Sequence, residues 1–401
     1  MKRIAVISFG YLWFPCESGP SRFFYIAKML HGNGYEVECI TTGYQHFKKQ
    51  LRDKETILKQ NYPFDIVFID SPPYKKNIDL KRVYSNAIAA KRLKKYLEAN
   101  INRFDAVYVS IPANNIAAMV TTLCKKNGIP VIVDIEDLWP EAMSMVVKSK
   151  TVRSIALRSF YNDAEKTYQQ ADAIIGTSED YTERAFRHRE KNIPFATVYV
   201  GCNLSEFDDG VKRYAREIEK ADEEFWVTYA GSISTSYDIR TLIDAGRALK
   251  DKNIHIQILG DGSLREELES YSKNDENIHF RGYMEYSYMA AFLSRSDILI
   301  NSIIKKSSAG IVNKIGDYLA ASKPMINTLE NPSFCDLVSS ERVGINIDAE
   351  DPKKLEDAIL CIYEDDILQI RMGNNARSLA ERRFDRRHSY REIVKLVDSV
   401  I

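Results

Sequence analysis

Two adjacent carboxylates, Glu136 and Asp137, follow the apolar run Ile129-Pro-Val-Ile-Val133 inside the segment DIEDLWPEAM, Asp134 to Met143. A run this apolar reads as a strand buried on both faces, so the two acids leave its carboxyl end together. Open α/β sheets bind ligands at that end, where a carboxylate can orient a hydroxyl. The plainer reading is a helix start, with Asp137 as N-cap and Pro140 and Glu141 in the first turn. Capping explains one acid but not the pair beside Trp139. Earlier, Phe9 to Arg22 (FGYLWFPCESGPSR) joins the first strand to the first helix, where backbone N–H groups attract anions. Gly19 is its best candidate for an anion contact, though its glycines serve equally well as turn residues. The loop lacks G-x-G-x-x-G, which argues against a dinucleotide fingerprint.

D-L-W-P-E after a buried strand resembles the bacterial branch of glycosyltransferase family 4 that builds O-antigen, capsule and exopolysaccharide repeat units. Three further segments follow in that family's order. Tyr229 to Ala245 (YAGSISTSYDIRTLIDA) resembles the opening strand, glycine turn and helix of the second domain; Gly231 there would let a ligand come close and Ser232 would donate to a phosphate. The arginine and lysine that many members carry in this turn are absent. Leu259 to Leu268 (LGDGSLREEL) resembles the G-x-G segment, with helix capping by Ser263 as the larger share of its reading and Asp261 to Ser263 lining a nucleotide pocket as the smaller.

Ser307 to Pro324 (SSAGIVNKIGDYLAASKP) covers the place where the family has two glutamates eight positions apart, one for the donor sugar and one for the nucleotide ribose. By that alignment Asp317 takes the ribose position and Ala309 the sugar position, which alanine cannot fill. Lys314, beside Gly310, Ile311 and Val312, would meet the donor diphosphate as a point charge next to backbone donors. The resemblance thus implies catalytic roles for Glu136, Asp137 and Lys314, and donor contacts for Gly19, Gly231, Ser232, Asp261, Gly310 to Val312, Lys314 and Asp317. A histidine often occupies the place of Glu136 in relatives. Arg382 to Ile401 matches a last helix that leaves the second domain and packs back on the first.

The elements that must position these residues alternate strand and helix twice over. Strands are expected at Arg3 to Ser8, Glu36 to Thr41, Asp65 to Asp70, Asp105 to Ser110, Ile129 to Val133, Ala173 to Thr177 and Thr197 to Val200. After a polar linker the rhythm restarts at Trp226 to Ala230, Ile254 to Leu259, Ile278 to Phe280, Ile298 to Asn301, Pro324 to Asn327 and Gly344 to Ile347. Such alternation means parallel sheets covered by helices. The expected architecture is an α/β GT-B fold, two Rossmann-like doubly wound domains facing a cleft. With the roles that the resemblance implies, residues 1–204 are expected to form an acceptor domain, 205–224 a linker, 225–380 a nucleotide-sugar domain and 381–401 the returning helix.

Charge is distributed unevenly: residues 1–200 carry a balance of +8 and residues 201–401 one of −8, which sum to the net zero of the whole. Between Lys75 and Leu97, lysines and arginines rim an apolar stripe of Ile78, Leu80, Val83, Tyr84, Ile88, Leu93, Tyr96 and Leu97. A core-facing helix and a contact with anionic membrane explain that stripe equally well. Nucleic acid is a poorer partner, given the acidic half and the absence of a recognition motif. Six cysteines without C-x-x-C pairing, and no apolar run of about 20 residues, point to a reduced, cytoplasmic, metal-free protein without a membrane span, peripheral at most on the inner face of the cell membrane. The family resemblance implies a retaining hexosyltransferase that uses a nucleotide-diphosphate sugar and a lipid-linked or oligosaccharide acceptor, and the lack of metal-ligand spacing makes the expected enzyme metal-independent, with no cofactor. The alternatives are a nucleotide-sugar epimerase of the same fold and a non-catalytic partner subunit.

Overall fold

Strands built of buried aliphatic residues frame two separate α/β units. The computed structural model describes residues 1–18, 21–76, 79–141, 157–307 and 310–401. Gly19, Ile78, Met143 and Ala309 lie outside the described residues. One unit comprises Met1–Tyr199 with Tyr390–Ile401, the other Val200–Ser389.

The first unit contains β1 (Arg3–Ile7), β2 (Glu36–Thr42), a small antiparallel hairpin of β3 (Tyr44–Gln45) and β4 (Gln50–Leu51), then β5 (Asp65–Ile69), β6 (Ala106–Ile111), β7 (Val131–Ile135), β8 (Ala173–Gly176) and β9 (Phe195–Thr197). Its main sheet runs β5-β2-β1-β6-β7-β8-β9, and every pairing in it is parallel. Hydrophobic clusters cover both faces, which is why these strands are rich in apolar residues rather than alternating, with Glu38 and Asp134 as buried exceptions. The strand before the two acids begins at Val131, later than the apolar run suggests. Pro130 has no N–H for the ladder, although its carbonyl accepts from Val107 N. β9 lies two residues earlier than expected. Ile393, Val394 and Val397 of the last helix, Arg391–Asp398, and its N-cap Tyr390 join the same core as Phe23, Ile26 and Ala27 of the helix Arg22–Gly32.

In the second unit β10 (Phe225–Ala230), β11 (Ile254–Leu259), β12 (Ile278–Gly282), β13 (Ile298–Asn301), β14 (Met325–Asn327) and β15 (Gly344–Asn346) form a parallel sheet ordered β12-β11-β10-β13-β14-β15. The order reverses between β10 and β13. Such a reversal opens a crevice at the carboxyl ends of the two strands.

Two expectations need correction. The stretch 205–224 is not a linker: the helix Leu204–Tyr214 belongs to the second unit and packs on the helix Tyr286–Arg295. Leu204, Phe207 and Gly210 are its buried positions, and a Cβ on Gly210 would stand 2.7 Å from the Ser287 carbonyl oxygen. Its charged outer face hid that seam. The stripe on the helix Leu80–Asn100 also divides: Leu93 and Leu97 are core, beside Ala89, whereas Leu80, Val83 and Tyr84 are exposed. No helix among the described residues is long and apolar enough to cross a membrane.

Candidate functional site

The crevice end of β10 in the second unit holds a buried lysine among aromatic rings. Lys314 Nζ stands 4.0 Å from the centroid of the Tyr229 ring, 4.6 Å from that of Tyr237 and 5.7 Å from that of Tyr318. The amine is shut off from solvent and has no hydrogen-bond partner among the described residues. Burial therefore lowers its pKa well below the lysine range. Attraction to a ring face is worth about 0.5–2 kcal/mol. An unmade hydrogen bond from a buried charged group costs about 1–3 kcal/mol or more, so three unsatisfied donors outweigh the rings. The Tyr318 hydroxyl accepts from Ala230 N at 2.8 Å and lies 3.2 Å from the carbonyl oxygens of Ala230 and Ile300, which ties the lysine's helix to both strands of the crevice.

Glycine makes room here in two places. Gly231 has φ +152, and a Cβ on it would sit 2.9 Å from the Tyr229 hydroxyl and 3.5 Å from Lys314 Nζ. Gly260, φ +126, follows β11 so closely against Gly231 that a Cβ would fall 1.8 Å from the Gly231 carbonyl oxygen. Only residues lacking a side chain fit these positions.

Asp317 lies one turn beyond Lys314 and accepts a hydrogen bond from the Tyr286 hydroxyl at 2.8 Å. Burial raises its pKa to about 6, opposed by that hydroxyl and by the nearby Arg386 charge. Gly310 is buried, and Ile311 and Val312 are half-buried on the approach to Lys314. Ser232 is exposed, and its carbonyl accepts from the Tyr229 hydroxyl at 2.8 Å. Asp261 is exposed too; one carboxylate oxygen accepts from Gly262 N at 2.7 Å, and the other is 3.7 Å from Arg265. Ser263 does not cap the helix that follows, whose N-cap is Leu264.

In the first unit, Glu136 and Asp137 do follow β7 directly, and they sit in different surroundings. Glu136 Oε1 is 3.3 Å from Arg22 Nε, which also bonds Asp134 Oδ2 at 2.9 Å. The same guanidinium donates to the carbonyls of Val198 and Tyr199 at 2.9 and 3.1 Å, while the Tyr108 hydroxyl donates to Asp134 at 2.5 Å. Asp137 is raised in pKa, chiefly by burial. Tyr11, also raised by burial, feels the charges of Asp137, Glu136 and Arg82. Arg82 stacks 4.4 Å over Trp139 and lies 5.8 Å from the Tyr74 ring, whose hydroxyl is 2.6 Å from His46 Nδ1. Burial together with Arg82 and Lys49 pushes His46 down to about 3, and burial with Arg82 pushes Lys49 down to about 8. Carboxylates, cations and flat aromatic faces thus gather beyond the carboxyl end of this sheet.

Residues 21–206 match the family described as Glycosyltransferase Family 4, and residues 224–365 match the one described as Glycosyl transferases group 1. The two matches follow each other along most of the chain. The protein belongs to the family 4, group 1 glycosyltransferases.

An uncharacterized glycosyltransferase of Methanocaldococcus jannaschii is 20% identical over 64% of this chain and 67% of its own length. The putative colanic acid biosynthesis glycosyl transferase WcaI of Escherichia coli is 21% identical over 72% and 73%. Among solved structures, sucrose-phosphate synthase from Thermosynechococcus elongatus superimposes with a TM-score of 0.73 at 16% identity, covering 100% of this chain and 99% of that one. Anabaena HepE in complex with UDP gives 0.71 at 15%, with full coverage of both. WaaG, a glycosyltransferase involved in lipopolysaccharide biosynthesis, gives 0.68 at 14%, covering 99% of each. The fold of this glycosyltransferase is GT-B.

Sequence reasoning missed Arg22 and the tyrosines of this glycosyltransferase. Arg22 follows a serine in a loop read for its glycines, and nothing local shows that it reaches Asp134, 112 positions away. Tyr229, Tyr237 and Tyr318 come from a strand end, a loop and a helix, so no spacing relates them. Tyr286 opens a helix whose first turn reads as ordinary.

Proposed function

We propose that this glycosyltransferase moves a sugar, with retention at the anomeric carbon and without a metal, from a nucleotide-diphosphate donor to a lipid-linked or oligosaccharide acceptor during cell-surface polysaccharide assembly. The observation that carries the donor half is the Lys314 amine at the end of β10, buried without a hydrogen-bond acceptor, one turn before Asp317. A leaving diphosphate requires positive charge more than it requires a nucleophile, and this lysine supplies it. Asp317 takes the ribose hydroxyls in the charged form that prevails above pH 6. Gly231, Gly260 and the backbone at Gly310 to Val312 leave room for the phosphates.

In the transfer, the anomeric carbon loses its bond to the diphosphate oxygen and gains one to the acceptor oxygen. The acceptor's hydroxyl proton passes to the departing phosphate. Asp137 and Glu136 orient that hydroxyl, with half-buried Tyr11 as a face for a sugar ring and Trp139 holding Arg82 beside it. Retention rests on resemblance to the family. UDP is the first nucleotide to try, since HepE has been crystallised with UDP and with UDP-glucose. The polysaccharide assignment is supported by likeness to WcaI and WaaG. Exposed Leu80, Val83 and Tyr84 beside Lys81 support a peripheral contact with anionic lipid, which liposome co-sedimentation at low salt would test.

Incubation with a panel of nucleotide sugars, with and without polyprenyl-linked saccharides, tests the whole reading. Release of nucleoside diphosphate that depends on the acceptor is expected. An isomerised nucleotide sugar without an acceptor would make the protein an epimerase, and no binding of any donor would make it a non-catalytic subunit.

A further inference from the structure

A buried amine with nothing to bond to is out of place in a site that must hold a diphosphate. Its neighbours explain how it persists. Tyr229 faces it from β10, Tyr237 from the loop before the helix Ile239–Ala248, and Tyr318 from its own helix. Burial keeps all three phenols neutral, so none offers a counter-charge. Asp317, next to Tyr318, takes the Tyr286 hydroxyl, and Asp238, next to Tyr237, caps Thr241 N through Oδ1 at 3.2 Å while its Oδ2 is buried without a partner among the described residues; burial, not a nearby charge, sets the state of the amine. A protonated amine here would leave three N–H donors unsatisfied, whereas a neutral one is far cheaper to bury. A diphosphate reverses that balance, because its oxygens accept those donors and its charge favours the ammonium.

We propose that Lys314 waits in the free protein as a neutral amine and takes up a proton from solvent as the donor diphosphate binds, so that donor capture and proton uptake are one event. This rests on the donor reading above and adds a consequence to it. The tyrosines then act as positioning residues, keeping water from the amine until the ligand arrives. The charge that helps the diphosphate leave is created by its binding, and the proton returns to solvent when the nucleotide departs. Donor affinity therefore rises as pH falls from the alkaline side, until Lys314 is already protonated in the free protein.

Calorimetry decides it. UDP, GDP, dTDP and ADP are titrated into the full chain at pH 7.5 in buffers of different ionisation enthalpy. A nucleotide that binds should take up roughly one proton, read from the dependence of its heat on the buffer. Tyr237→Ser, at a half-exposed loop position, opens the cage to water; it should still bind the nucleotide but with the uptake largely lost, an outcome that a purely structural tyrosine would not give. Carbon-13 labelled lysine, with the Lys314 signal assigned through Lys314→Arg, should show a neutral amine at pH 7.5 in the free protein and an ammonium with nucleotide bound. Binding with the same heat in every buffer, or a charged Lys314 in the free protein, overturns the inference and leaves the donor reading standing. If no nucleotide binds, the donor reading falls and this inference falls with it.

Discussion

Each unit of the molecule buries the head of a basic side chain at the carboxyl end of its sheet, and the two are treated in opposite ways. Arg22 in the first unit is 2% exposed at its side chain and bonds a carboxylate that is wholly buried, along with two carbonyls, while the Tyr390 ring lies 5.0 Å from it. Lys314 in the second unit is a half-buried residue whose amine alone is shut off from solvent, and that amine bonds nothing among the described residues. A buried charge whose partners are all supplied by the chain holds a structure together, because removing one partner strands the other. A buried amine without partners stabilises nothing in the free protein. On the reading proposed above a ligand from outside completes it, and the contrast between the two side chains is what tests that reading.

Breaking the paired cation should give the largest effect on folding. Arg22→Met leaves Asp134 buried without its counter-charge, and a loss of about 3–5 kcal/mol is expected. Urea unfolding with an unchanged slope would read it directly. A loss below about 1 kcal/mol would show that the pair is no more structural than a surface salt bridge.

The same substitution at the unpaired cation should act on catalysis and spare the fold. Lys314→Met keeps the stem's bulk in the tyrosine cage, so turnover should drop by about 10²–10³, as when one electrostatic donor to a leaving oxyanion is removed. Stability should stay level or rise at neutral pH. The sign follows from the depressed pKa: the folded chain binds fewer protons at Lys314 than the unfolded chain does. Stability therefore increases with pH from the lowered native value up to the ordinary 10.5, by about 1.4 kcal/mol per unit. Lys314→Met should remove that part of the slope. Unfolding curves at three pH values check it, and an unchanged slope would mean that Lys314 is charged in the native state.

How much of this contrast the sequence carried depends on distance along the chain. The strands were legible because burial on both faces leaves runs such as Val131–Ile135 with little freedom in composition. Lys314 and Asp317 were legible because they share a helical turn inside one motif. Their surroundings were not. The aromatic cage is assembled by tertiary folding from three elements, and the Arg22 network from the first helix, β7 and the chain after β9. The polar stretch 205–224 reads as a linker with a short helix rather than as part of the second unit for a related reason. Its buried seam depends on a small residue, Gly210, meeting another helix's backbone, and hydrophobic patterning gives that no weight.

Asp317 lies between the two extremes, since it is a buried acid with one hydroxyl partner. If it holds the ribose, Asp317→Ala should weaken nucleotide binding by about 1.5–3 kcal/mol, roughly ten- to hundredfold in Kd. Its pKa of about 6 also predicts an acidic limit in the wild type. Nucleotide affinity should decline as pH falls through 6, because a protonated acid accepts ribose hydroxyls less well. This limb runs opposite to the one set by Lys314. Binding measured from pH 5 to 9 would separate the two, and an affinity still rising below pH 5.5 would take Asp317 out of the ribose site.

The smallest effect sharpens the comparison most, because it concerns one hydrogen bond at that same acid. The Tyr286 hydroxyl donates to Asp317 Oδ1 at 2.8 Å and favours the carboxylate form, opposing the burial that raises the pKa. Tyr286→Phe removes the donor and keeps the ring, so the Asp317 pKa should rise further. The acidic limb of nucleotide binding should move toward neutral pH. At pH 8, where the acid stays ionised in both proteins, affinity should change little or improve slightly, since the freed oxygen can accept a ribose hydroxyl that otherwise competes with Tyr286. A hydrogen bond to a charged group is worth about 1.5–3 kcal/mol at most, and solvent or the ribose replaces part of it, so the displacement should be under about one pH unit. Nucleotide affinity against pH for Tyr286→Phe and wild type, measured side by side, checks this. If the two limbs coincide, the tyrosine does not tune the acid, and Asp317 would resemble the self-contained network around Arg22 more than the open site at Lys314.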